Sequence, residues 1–131
     1  AAVARRLGGR INPKRDQVPV GETDAAVSMI VGEYEEIGDA IVRFISLEDR
    51  IGELAPLLAD GRKVHRAWVE RVFAPWLPIV RGAARRQAAA TLVAATDVLT
   101  WKVLRREQGL SRSGTEAAMG TTVRALLESL K

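Results

Sequence analysis

The chain has no cysteine, a single histidine (His65) and a single tyrosine (Tyr34), and its other aromatics are three tryptophans and two phenylalanines in 131 residues. Without cysteine there is no disulfide framework, no thiolate metal site and no thiol nucleophile. That composition fits a reducing compartment, and the expected location is cytoplasmic. A lone imidazole excludes a histidine-rich metal site. No apolar run reaches the length of a membrane span without a charge or a proline, so no membrane partner is expected. The opening residues AAVARRLGG lack the long apolar core of a secretory signal. They also lack an initiator methionine, and the chain reads as a fragment that begins within an element. Gly8-Gly9 has no strand before it, so it is not a phosphate-binding loop. Most carboxylates fall on the outer faces of predicted helices. These absences leave no catalytic residue, no metal ligand set and no cofactor to name, and the chain is read as a non-enzyme.

What is present is enough for one domain with a core of its own. The net charge of +4 is unevenly placed. Residues 1–16 hold five bases and one acid, and the remainder sums to zero. Within that remainder, residues 22–60 hold ten acids against two bases, and residues 61–131 hold thirteen bases against five acids. The two parts are electrostatically complementary and should pack on one another. The high isoelectric point belongs to a short basic arm, either a solvated tail or a phosphate contact, and not to a nucleic-acid-binding face.

Periodicity gives helices and no strand. Ala1–Leu7 reads as the tail of a helix closed by Gly8-Gly9, and Pro13, Pro19 and Gly21 keep residues 8–22 loop-like. A helix starts at Thr23 or Asp24, either of which can cap it, and reaches about Ser46. Val27, Ile30, Tyr34, Ile37 and Ile41 recur along its apolar face, with Glu33, Glu35, Glu36 and Asp39 mostly opposite. Glu48–Leu58 reads as a shorter segment kinked by Pro56 and ended by Asp60-Gly61. Arg62–Ala74 follows, ended by Pro75 and Pro78. A long helix runs from Gly82 or Ala83 to Gln108, with Gly109 in the left-handed position after it. Ser113 to Glu116 matches a capping box for a last helix ending near Leu130. The expected fold is all-α, an antiparallel bundle of about five helices whose last two form an αα-hairpin. Residues 1–22 form a connecting piece and 23–131 the domain proper.

The run Ala88 to Trp101, AAATLVAATDVLTW, carries one charge, Asp97. A helix this apolar needs cover on most faces. An isolated carboxylate there must be paired, hydrogen-bonded or protonated. Two readings stay open: a structural partner such as an arginine or His65 from another helix or a neighbour's helix N-terminus, or a polar anchor inside a ligand cavity. Trp101 lies one turn beyond on the same face. The tryptophans are core fillers or the lining of an apolar pocket. Small residues on the last two helices, with Gly120 mid-helix, favour close contact with a second copy.

The segment ATDVLTWKVLRREQGLSRSGTEAAM, preceded by HRAWVERVFAPWL and by VPVGETDAAVSMIVGEYEEIGDAIVRFISLEDR, resembles the C-terminal regulatory domain of TetR/AcrR-family transcriptional repressors. The resemblance runs from about Gln17 to the end and is one of style and order, not of a short motif. It implies an effector-binding and dimerisation domain, with Ala1–Leu7 as part of the helix leading from a DNA-reading head that this chain lacks. DNA would be bound only through that head. The ligand would be an apolar or aromatic small molecule, with Tyr34, Trp68, Asp97 and Trp101 as pocket residues. A homodimer would form through Ala88, Leu92, Gly120, Val123 and Leu127. The alternative reading is a free-standing helical interaction module without a small-molecule ligand.

Overall fold

A computed structural model describes residues 14–78 and 82–131. The expectations for Ala1–Leu7 and Gly8-Gly9 lie outside the described residues. Among those described there are five α-helices and no strand, and residues 14–16 are also helical in place of the expected loop.

The central element is α1 (Thr23–Leu47). Val27, Ile30, Val31, Tyr34, Ile37 and Gly38 recur at three- and four-residue steps and are buried. This helix packs against α2 (Leu54–Val72), α4 (Val98–Lys102) and α5 (Arg112–Ser129). Glu22 occupies the N-cap position without a side-chain bond, so neither Thr23 nor Asp24 caps the helix. Asp24 instead pairs with Arg124 of α5 at 3.0 Å.

Of the expected segment Glu48–Leu58 only Leu54–Leu58 is helical, and it runs on through the next expected segment as one helix, α2. Pro56 sits in its first turn, where a missing N–H forfeits no helical bond. Asp60-Gly61 does not break it. A glycine there costs roughly 1 kcal/mol relative to alanine. Burial of Leu58, His65, Trp68, Val69 and Val72 along one face outweighs that bias. A short 3₁₀ turn, Ala74–Trp76, follows, with Pro75 within it.

The expected single helix over 83–108 is interrupted. α3 (Ala83–Ala95) ends at Thr96, and Asp97 is extended with ψ 155° before α4 begins. The Asp97 carboxylate accepts the Leu99 N–H at 2.9 Å, so it caps α4. The carbonyls freed by the break find side-chain donors. Thr100 Oγ1 donates to Ala94 O at 2.6 Å and Tyr34 OH donates to Thr96 O at 2.8 Å. Residues Val103–Glu107 then continue as a π-helical turn. Gly109 takes φ 72°, the left-handed position expected of it, and Leu110 N–H bonds back to Leu104 O at 3.1 Å. The cap of α5 is Ser111, whose Oγ accepts Gly114 N–H at 3.0 Å, two residues before the expected Ser113 box.

The charge complementarity of the two parts is realised in ion pairs. Glu35–Arg105, Asp39–Arg106, Glu48–Arg62 and Asp24–Arg124 all join the acidic stretch to the basic one. No helix among the described residues is long and apolar enough to cross a membrane.

Candidate functional site

The break at Thr96–Asp97 faces α1 and α2, and a cavity of about 310 Å³ lies between them. Ile41 and Ile45 of α1, Leu57, Leu58 and Val64 of α2, and Val98 and Leu99 of α4 supply apolar wall. Asp60, Gly61, Arg62 and Leu99 are its solvent-exposed lining residues. Its other end is polar, built by Arg15, Glu33, Tyr34 and His65.

That polar end is a closed hydrogen-bond group. Arg15 is 4% exposed, Glu33 5% and His65 5%. Arg15 Nε and Nη2 donate to the two Glu33 oxygens at 3.2 and 2.8 Å, and Nη1 donates to His65 Nδ1 at 2.7 Å. A guanidinium has no acceptor, so Nδ1 must be the bare nitrogen and the ring is neutral with its proton on Nε2. That proton points to Thr96 Oγ1 at 3.1 Å and Val93 O at 3.3 Å. Thr96 Oγ1 in turn donates to Leu92 O at 2.7 Å. Burial, and then the Arg15 charge, hold the His65 pKa down at about 3, which agrees with the neutral ring. Burial also works against the Arg15 charge, but the hydrogen bonds and charge of Glu33 outweigh it and raise its pKa. Burial raises the Tyr34 hydroxyl out of the ordinary tyrosine range, so it stays a donor.

The backbone before α1 is fixed by the same group. Arg15 O accepts from Trp68 Nε1 at 3.2 Å and from Arg71 Nη2 at 2.8 Å, and Val18 joins the core. Lys14 reaches Glu36 at 3.2 Å. The two last bases of the arm therefore belong to the packed domain.

Of the four expected pocket residues, Tyr34 and Asp97 line the cavity. Trp68 and Trp101 do not. Trp68 stacks on His65 with Arg15 over its ring, behind the polar end. Trp101 is sealed against Gly38, where a methyl group would stand 2.7 Å from the ring. Its Nε1 donates to Glu35 at 2.8 Å, and Arg106 lies over its face. Among the described residues Asp97 is hydrogen-bonded not by an arginine, His65 or a neighbour's helix N-terminus but by the N-terminus of its own helix, and it keeps a place on the cavity wall.

The five residues expected at a dimer interface are buried inside the single chain. Ala88, Leu92, Val123 and Leu127 belong to the core cluster. Gly120 is covered by the Arg124 guanidinium on its way to Asp24. Side chains already buried within the subunit have no surface left to offer a second copy.

Three site residues escaped the sequence reading: Arg15, assigned to the basic arm; Glu33, placed on the outer side of α1; and His65, considered for metal binding and as a partner of Asp97. The one available signal was the position of Glu33, adjacent to Tyr34 and three residues after Ile30 on the apolar face. Among the described residues no group of three or more His, Asp or Glu side chains is placed to hold a metal ion. Compared with models of protein families, with curated proteins and with solved structures, the chain matches none of them.

Proposed function

We propose that the chain is the small-molecule-binding regulatory domain of a TetR/AcrR-like transcriptional repressor, whose DNA-reading head lies outside it. The observation that carries this reading is the cavity between α1, α2 and α4. It is apolar along its walls and ends on a few convergent polar groups, the composition that ligand pockets share. Its volume falls at the lower end of the roughly 300–1,000 Å³ range of such sites. The proposal involves binding and no reaction. An effector that prefers one arrangement of the domain shifts its population, and two heads held about 34 Å apart would lose their register on DNA.

In this reading the protein is a homodimer, and the contact must use outward residues of the last helices. Ala90 and Ala94 of α3 and Ala117, Thr121 and Ala125 of α5 are exposed. The test of ligand binding is a thermal-shift screen of apolar and aromatic compounds on this chain and on Ile45→Trp, which fills the cavity. A ligand at a hundred times its Kd adds about 2.7 kcal/mol of stability. The reading expects compounds that stabilise the parent and leave Ile45→Trp unmoved. A screen in which no compound distinguishes the two proteins would sink it.

One observation favours a helical interaction module instead. Leu99 and Val103, one turn apart, are 45% and 42% exposed. A protein partner seated there would be released by Val103→Glu, and on that reading no small molecule would stabilise the parent chain.

A further inference from the structure

We infer that the cavity is selective for a cationic amphiphile, an apolar body ending in a protonated amine whose charge is received by Asp97. This rests on the ligand-binding reading above and adds the chemical class of the ligand.

The argument comes from which hydrogen-bonding groups are spent and which are left. Every donor-bearing side chain on the cavity wall is already engaged within the chain. Arg15 is divided between Glu33 and His65. The His65 Nε2 proton goes to Thr96 and Val93, and the Tyr34 hydroxyl to Thr96 O. Arg62, whose charge is felt at Asp97, is held by two bonds to Glu48, at 3.0 and 2.9 Å. Acceptors are left over. Asp97 uses Oδ2 for the Leu99 N–H, and its Oδ1 has no hydrogen-bond partner among the described residues. Asp60 has none either, and it stands exposed on the same lining.

The charges point the same way. Arg15 is bonded to Glu33 and Arg62 to Glu48, and although Arg62 also attracts Asp97, the lining carries three carboxylates (Glu33, Asp60, Asp97) against two guanidiniums (Arg15, Arg62). An anionic ligand would meet two carboxylates, and the Arg15 and Arg62 guanidiniums are already turned toward Glu33 and Glu48. A neutral apolar ligand would fill the walls but strip water from Asp97 without replacing it. A ligand with an ammonium beside a hydrophobic body satisfies both, because Val98 and Leu99 put apolar wall next to the carboxylate.

The test uses three molecules of one skeleton, 4-phenylbutylamine, 4-phenylbutan-1-ol and 4-phenylbutanoate, titrated calorimetrically at neutral pH. Asp97→Asn is the informative variant, because asparagine caps a helix about as well as aspartate and only the charge is lost. The amine should bind about tenfold or more tighter than the alcohol, and the carboxylate not detectably. Asp97→Asn should erase the preference for the amine. Ile45→Trp should abolish binding. If the alcohol or carboxylate binds as well as the amine and Ile45→Trp still abolishes it, the cation class is overturned and the pocket stands. A preference for the amine that survives Asp97→Asn overturns the assignment to Asp97. Absence of binding by all three at low millimolar concentration overturns class and pocket together.

Discussion

At the scale of single residues the most consequential group is His65, the only histidine in the chain. Folded, its pKa is about 3; unfolded, it returns to about 6.5. Between those values the unfolded chain holds a proton that the folded chain refuses. The contribution of the neutral ring is therefore complete above about pH 6.5 and is lost as pH falls toward 3, by up to about 1.4 kcal/mol per unit. Urea unfolding at about pH 7 and about pH 5.5 should show a loss of roughly 1 kcal/mol in the parent. His65→Gln, which can still accept from Arg15 and donate to Thr96, should show little change across the same interval. A parent with flat stability there would mean that the ring is not buried and neutral. Glu33 shows why this group was not legible beforehand. It belongs to a run with Glu35 and Glu36, and such a run reads as a solvated face. Its counter-ion is Arg15, eighteen positions earlier, and no local pattern links them.

At the scale of elements, local signals succeeded where they agreed with packing. The spacing from Val27 to Ile41 defines α1 to within a residue or so, because the buried face and the helical period coincide. Gly109 was legible because a left-handed residue after a final turn has few substitutes. Asp60-Gly61 misled because its bias is small beside a buried face fifteen residues long (Leu58 to Val72). Thr96-Asp97 misled in the other direction. The apolar pattern runs straight through it, and what opens the helix is a combination of the Asp97 cap with donors from Tyr34 and Thr100. That cap can be measured. Asp97→Ala should cost about 1 kcal/mol in urea unfolding and Asp97→Asn almost nothing. Equal stability of the alanine variant and the parent would mean that α3 and α4 can fuse without loss.

At the scale of the whole molecule, the complementarity of an acidic stretch and a basic one was readable from charge placement alone. It became the pairs Glu35–Arg105, Asp39–Arg106, Glu48–Arg62 and Asp24–Arg124. The face proposed for a second copy was not readable, because small residues surround α3 and α5 on several sides. Only the packed fold says that Val123 points inward and Ala94 outward. Val123→Arg buries a charge without a partner and should cost several kcal/mol, unfolding the subunit rather than dividing a dimer. Ala94→Arg should leave helicity and melting unchanged and convert the proposed dimer to monomer in sedimentation velocity. A parent that sediments as a monomer at high concentration would remove the dimer from the proposal.

The position of Arg15 has a mechanical meaning. Its side chain grips Glu33 and His65, and its carbonyl is tied to Trp68 and Arg71, all before the chain enters α1. Tension applied to the backbone at Lys14 is therefore passed, once the exposed Lys14–Glu36 pair yields, to the end wall of the cavity. Cavity and upstream chain are coupled in series, like a hook and the eye it pulls on. Drawing Lys14 and Arg15 away from α1 means drawing the Arg15 guanidinium out of its carboxylate.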